Sequence, residues 1–162
     1  MQQTDILIIG AGASGLATAC ELAPWAKQNN KKVILLEKQI IAGRKILVSG
    51  NGRCNFTNKL ANPTKYYGNK QFITDVLSTF TPTDCLSFFT KLGLLYTEEN
   101  GRYFPLANKS SAVQQVLLNY IEKEITEIAH PRIAVAQDKA FCFYYQDALD
   151  LFTELGATIV PF

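Results

Sequence analysis

The sequence predicts an α/β fold organised by a parallel βαβ unit near its start. Three observations carry that expectation. Ile6-Leu-Ile-Ile9 is a short apolar run with the length of a buried parallel strand. Gly10-x-Gly12-x-x-Gly15 follows at once, and an amphipathic pattern (Leu16, Ala19, Cys20, Ala23) begins where it ends. Lys32-Val-Ile-Leu-Leu-Glu37 then supplies four more apolar residues closed by an acid. A glycine triplet carries meaning in this setting, between a strand and a helix.

Each position in the turn has a physical task. Gly10 permits the tight turn, Gly12 leaves the backbone open to a pyrophosphate, and Gly15 lets the helix pack close to the strand. The free N–H groups around Ala13 and Ser14, with the positive end of the helix dipole, suit phosphate charge. Glu37 stands 22 residues after Gly15, the spacing of a carboxylate that accepts hydrogen bonds from an adenosine ribose. A 2′-phosphate would be repelled there, which disfavours NADP. These features together predict a Rossmann-like, FAD- or NAD(P)-binding βαβ unit. The alternative is a glycine-rich turn in an ordinary α/β domain with an exposed Glu.

The chain has 162 residues, enough for one domain or two very small ones, and 48% are hydrophobic, enough for a core. A net charge of +2 indicates neither nucleic acid nor an anionic membrane as partner. No stretch approaches the ~20 apolar residues that span a bilayer, and Met1-Gln-Gln-Thr-Asp5 lacks the basic start of a secretory leader. Cys20, Cys54, Cys85 and Cys142 form no C-x-x-C pair, and His130 is the single histidine. No metal site is expected, and a cytoplasmic protein with reduced thiols is the simplest reading.

The first helix is expected over about residues 14–23, ending or bending at Pro24. Residues 40–58 hold too many glycines and asparagines for a helix and too few alternating apolar positions for a long strand, so a long functional loop is expected. Its cations Arg44, Lys45 and Arg53 suit phosphate neutralisation or substrate steering, or form a solvated basic turn. A helix is expected over 70–80. Thr81 then caps another, with Pro82 at its first position and Asp84 in its first turn. Leu86, Phe89 and Leu92 share a face, and Gly93 ends that helix. A hairpin should turn at Asn100-Gly101. Ser110 or Ser111 caps the next helix, whose stripe is Val113, Val116, Leu117, Tyr120 and Ile121 and whose charged face continues to Glu127.

Three stretches carry a resemblance: Gly10-Ala-Gly-Ala-Ser-Gly-Leu-Ala17, Leu36-Glu-Lys38, and above all Gly43-Arg-Lys-Ile-Leu-Val-Ser-Gly-Asn-Gly-Arg-Cys-Asn-Phe-Thr-Asn58. Over its first ~118 residues the chain resembles a family of bacterial NAD(P)/FAD-dependent, aminoacetone-oxidase-like flavoproteins. The resemblance implies FAD, with its ADP half on the glycine turn, Glu37 and Lys38. It also implies that Ser49, Gly50, Asn51, Gly52, Arg53, Cys54 and Asn55 lie near the flavin. Gly101-Arg-Tyr-Phe-Pro105 matches the same family, in a region that feeds its cap domain.

A seam is expected near residue 130. Beyond it, residues 132–145 and 155–162 are similar to the opening of the glutaminase-type domain of cobyrinate a,c-diamide synthase, an amidotransferase of cobalamin synthesis. A flavodoxin-like fragment follows from the residues themselves: a strand over 133–136, a helix over about 146–155 closed by Gly156, and a strand over 158–160. Cys142 has apolar neighbours and reads as a structural thiol rather than a nucleophile. The expected domains are therefore 1–130 and 131–162, both incomplete, as in a truncated or fused reading frame.

The leading expectation is an FAD-binding oxidoreductase module that moves hydride or electrons through a flavin. Its partners would be a small-molecule substrate and diffusible NAD(P)H, with no nucleic acid and no membrane. No residue is marked as catalytic acid or base, and Cys54 beside Arg53 is a candidate thiolate partner. The alternatives are a glutamine amidotransferase fragment, against which no Walker-type motif is present, and an inactive remnant.

Overall fold

The computed structural model describes residues 4–124, 133–135 and 159–161. The chain divides into two compact units, Met1–Ala42 with Ile121–Phe162, and Gly43–Tyr120.

The first unit realises the βαβ expectation. β1 (Ile6–Ile9) pairs in parallel with β2 (Val33–Leu36), from Ile6 opposite Val33 to Ile9 opposite Leu36. The crossover between them is α1 (Ala13–Gln28), which buries Leu16, Ala19, Cys20, Ala23 and Ala26. Those positions recur every three or four residues, the period of one helix face.

Two expectations are corrected here. First, α1 does not end at Pro24 but runs one turn past it, to Gln28. An interior proline removes a donor and costs about 3 kcal/mol. Ala23 and Ala26, on either side of it, are both buried on the stripe that Leu16 begins, and that packing holds the turn. Second, β1 is half-buried on one face and exposed on the other: Ile6 and Ile8 are half-buried, whereas Leu7 is 48% and Ile9 82% exposed. Among the described residues α1 is the one helix that packs on the β1–β2 pair, although the apolar run reads as buried on both sides.

β6 (Ile133–Val135) and β7 (Ile159–Pro161) form a second parallel pair, in register from Ile133 opposite Ile159. These are the two strands expected in the tail. The helix expected over 146–155, Gly156 at its end, His130 and Cys142 lie outside the described residues.

The second unit is built on a three-stranded antiparallel sheet, ordered β3 (Thr57–Asn58), β5 (Arg102–Pro105), β4 (Tyr96–Glu99). The β4–β5 hairpin turns at Asn100-Gly101 as expected. Glu99 pairs with Arg102, and both turn residues have positive φ (53° and 80°), the primed turn that matches strand twist. α4 (Pro82–Lys91) opens with a full capping box: the Thr81 hydroxyl accepts from Asp84 N–H at 3.2 Å, and the Asp84 carboxylate accepts from Thr81 N–H at 2.8 Å. Phe56 sits edge-on to Phe89 (4.8 Å between centroids) and Tyr96 (6.0 Å), so ring contacts join α4 to the sheet. α3 (Lys70–Thr79) buries none of its residues.

Residues 40–58 are not the long irregular loop expected. α2 (Arg44–Val48) begins at left-handed Gly43, a 3₁₀ turn covers Ser49–Gly52, and β3 follows. Ile46, buried inside the five-residue α2, anchors it. Such a short helix is set by tertiary packing rather than propensity, so the breakers around it concealed it. α5 (Ser110–Glu124) buries Val113, Leu117 and Ile121. Ser110 is its first residue, and the Ser110 hydroxyl donates to the Leu47 carbonyl at 2.6 Å. The charged continuation to Glu127 lies outside the described residues beyond Glu124.

Candidate functional site

The glycine turn of the first unit is shaped by three different constraints. Gly10 has φ +95°, a conformation that favours glycine. A Cβ on Gly15 would lie 1.8 Å from the Gly10 carbonyl oxygen and 3.6 Å from Ile8 Cγ2, so only glycine lets α1 start this close to β1. A Cβ on Gly12 would meet nothing within 4 Å, so the space beside it is open. Gly12, Ala13 and Ser14 are exposed. Gly12 caps α1 without any side-chain hydrogen bond, and no acid stands in the first turn. The N–H groups of a first helical turn have no partner within the helix, so this end is suited to an anion.

Glu37 follows the last residue of β2 and turns back to the glycine turn. Its Oε2 accepts from Ala11 N–H at 2.6 Å and its Oε1 from Gln39 N–H at 2.9 Å. The carboxylate thus joins the ends of the two parallel strands, and each oxygen keeps a second lone pair. Neighbouring Lys38 is exposed.

Residues 49–55 belong to the second unit. Gly50, Asn51, Gly52 and Cys54 all have positive φ (54°, 55°, 79° and 57°), a rare concentration for two non-glycine residues. A Cβ on Gly50 would stand 2.8 Å from Asn55 N. The strained run is held from outside. Arg53 donates through Nη2 to Glu99 Oε1 at 2.5 Å and through Nε to the Asn108 side-chain oxygen, and its guanidinium carbon lies 4.1 Å from the Phe104 ring centre. The charge of Arg53 therefore has a partner within the unit. Arg44 and Lys45 are exposed on α2. Ser49 donates to the Ile46 carbonyl and accepts Cys54 N–H at 3.0 Å through its own carbonyl. Asn51 and Asn55 are exposed.

Cys54 is buried, and that burial pushes its thiol above the usual range despite a hydrogen bond with Ser49. A thiol raised in this way is a poor thiolate, which counts against the thiolate-partner role weighed from the sequence. Burial likewise raises Cys85. Among the described residues no group of three or more His, Cys, Asp or Glu is placed to hold a metal. Sequence reasoning missed Glu99, Phe104 and Asn108 as the frame of residues 49–55, and Ser110 as the partner of Leu47 in α2. The hairpin signal at Asn100-Gly101 fixed where Glu99 and Phe104 would lie in sequence, but not that Arg53 would meet them.

A family model described as the HI0933-like protein Rossmann domain matches residues 4–148. The chain belongs to this family. The match contains both the glycine turn and residues 49–55, and runs beyond residue 118, to which the resemblance reached. The 3-dehydro-bile acid delta(4,6)-reductase of Clostridium scindens is 34% identical over 122 residues, 75% of this chain and 29% of the relative. The ribosomal RNA dihydrouridine synthase of Escherichia coli is 33% identical over 124 residues, 76% of this chain and 30% of the relative. The HI0933-like chain thus spans under a third of the length of these relatives. Cobyrinate a,c-diamide synthase of Listeria monocytogenes is 46% identical over 41 residues, 25% of this chain and 9% of the relative, a short and partial likeness. Among solved structures, an adenosine-5-phosphosulfate reductase in complex with sulfite aligns with a TM-score of 0.50 at 21% identity. It covers 76% of this chain and 23% of that one, a likeness of fold. Among the described residues no helix is long and apolar enough to cross a membrane.

Proposed function

We propose that this chain is the FAD-binding part of a flavin-dependent reductase. The observation that supports the reading best is the glycine turn: open at Gly12, uncapped at the start of α1, and bridged by the Glu37 carboxylate. These residues fit the ADP half of FAD. The backbone N–H groups of Ala13, Ser14 and Gly15 would hold the diphosphate at the positive end of α1. The free lone pairs of Glu37 would accept from ribose hydroxyls, and its charge would exclude a 2′-phosphate. When bound, FAD supplies hydride and electron transfer. The chain's own task is to seat the dinucleotide and keep its adenosine end in one orientation.

Two relatives carry names for hydrogen-adding reactions on very different substrates, a dehydro bile acid and ribosomal RNA. The reading for this chain is accordingly of the reaction class. The reacting group would be small and unsaturated, free or borne by a larger molecule, with NAD(P)H as diffusible donor.

Reconstitution with FAD tests the reading. The purified chain should retain flavin through gel filtration, seen as visible absorption on the protein peak. Gly12→Val should lose it while keeping its far-UV circular dichroism, because its side chain enters open space in the protein and fills the place of the diphosphate. A parent chain that retains no flavin, or a variant that retains as much as the parent, would overturn the reading.

A further inference from the structure

The chain holds two Asn-Gly dipeptides, Asn51-Gly52 and Asn100-Gly101, both in the second unit. Their φ angles nearly coincide: 55° and 79° in the first, 53° and 80° in the second. In Asn-Gly the backbone nitrogen of the glycine can attack the asparagine side chain with little hindrance, because glycine has no Cβ. Residue types and φ are matched here, so the surroundings of each glycine nitrogen make the difference.

At Asn100-Gly101 that nitrogen is held. Gly101 N–H donates to Glu98 Oε1 at 3.2 Å, and the Gly101 carbonyl accepts from Lys59 N–H at 2.7 Å. Gly101 is buried under Asn58 and Leu60, and Glu99 pairs with Arg102 across the turn. Attack requires rotation of the asparagine ψ until the glycine nitrogen faces Cγ, and loss of the proton on that nitrogen. The bond to Glu98 opposes both. Rotation breaks a charge-assisted hydrogen bond, and a carboxylate beside the nitrogen disfavours the anion that forms on it. At Asn51-Gly52 the acceptors are neutral. The dipeptide lies in the 3₁₀ turn Ser49–Gly52, where Arg53 N–H donates to the Gly50 carbonyl at 3.1 Å and Cys54 N–H to the Ser49 carbonyl at 3.0 Å. A Cβ on Gly52 would meet nothing within 4 Å.

We propose that Asn51 is the preferred site of spontaneous deamidation in this chain, and that Glu98 guards Asn100 against the same reaction. The Gly52 nitrogen attacks Asn51 Cγ as its proton passes to water. A C–N bond forms, the Cγ–Nδ2 bond breaks, and ammonia leaves. Water then opens the cyclic imide at either carbonyl. The product is aspartate, or isoaspartate with the main chain routed through the side chain. One water is consumed and one ammonia released, and no electrons are exchanged. The new carboxylate arises two positions before Arg53, in a span from Glu37 to Asp75 that holds no other acid. There it competes with Glu99 for the guanidinium, so the reaction loosens the brace of residues 49–55 from within. This site stands apart from the flavin reading.

Peptide mapping by mass spectrometry tests the proposal on the purified 162-residue chain, aged in mildly alkaline buffer, with isoaspartate scored by its separate elution. In the folded chain Asn51 should convert about tenfold faster than Asn100, the factor expected of one hydrogen bond to a charged group. Strong urea should bring both to one rate, because the dipeptides are identical. Glu98→Ala should raise conversion at Asn100 about tenfold. Glu98→Gln, an acceptor without charge, should raise it less. Asn51 in the same variants should convert at the parent rate, an internal check on folding. Gly12→Val should age as the parent does, so failure of the flavin reading is seen separately. Equal rates in the folded parent, a difference that survives urea, or an unchanged Asn100 in Glu98→Ala would each overturn the proposal. Slower conversion of Asn100 in Glu98→Gln would overturn it too, by making the carboxylate a base rather than a guard.

Discussion

The glycine turn and residues 49–55 both demand unusual backbone, and they obtain it in opposite ways. At the turn the constraint is local. Gly10 supplies the positive φ, and Gly15 the clearance beneath α1, within six residues of sequence. At residues 49–55 the constraint is imported. Gly50, Asn51, Gly52 and Cys54 are left-handed, and the groups nearest Arg53 come from Glu99, Phe104 and Asn108, about fifty residues on. The first site is encoded by spacing, whereas the second exists once the sheet of its own unit has formed.

Substitutions should separate the two modes, and the largest effect is expected at Gly15. Gly15→Ala places a methyl 1.8 Å from a backbone oxygen. Overpacking against the main chain should cost about 3 kcal/mol, seen as a fall in the urea midpoint with or without flavin. Gly12→Val, three residues away, should leave the flavin-free midpoint nearly unchanged and forfeit only the stabilisation that bound flavin adds. Equal losses at both would mean that the turn is not divided into a packing glycine and an open one.

Arg53→Ala is the matching cut in the other region. It removes an ion pair that is a third to a half exposed and a cation–ring contact, together worth about 1–2 kcal/mol. Arg53→Lys keeps the charge without the fork and should restore less than half of the loss. Hydrogen exchange at residues 49–55 should rise in both, while the glycine turn stays as protected as in the parent. A uniform rise over both regions would abolish the distinction drawn between them.

The smallest effect is expected where neither site is touched. Thr81→Ala removes one half of the α4 capping box and should cost about 1 kcal/mol. Asp84 supplies a sign to check. Its hydrogen bonds with the Thr81 side chain and backbone N–H hold its carboxyl below the usual range. A group depressed in the folded state stabilises above its unfolded pKa, and that support fades as pH falls through the folded one. Thr81→Ala should therefore lessen the acid sensitivity of the chain below about pH 4, measured by urea midpoints along a pH series.

Where a feature rests on neighbours in sequence, the residues alone foretold it. The βαβ unit, the Asn100-Gly101 turn and the Thr81–Pro82–Asp84 start of α4 are of this kind. Pro24 misled because local propensity was outweighed by the buried alanines that flank it, Ala23 and Ala26. α2 was hidden by glycines that flank it, since one buried isoleucine decides it. Glu37 was legible as an acid at the right spacing, but its bonds to Ala11 and Gln39 were not. In the candidate sites, motif positions were readable, whereas the partners that bend or brace them depend on strand register.

The hydroxyl of Ser110 reaches the Leu47 carbonyl across 63 positions of sequence. A contact of such long range cannot help the chain find its shape early, because closing so large a loop must precede any benefit from it. It acts instead as a late fastener. Ser110→Ala should leave the rate of refolding almost untouched and hasten unfolding, so that the second unit would still assemble on time but come apart sooner.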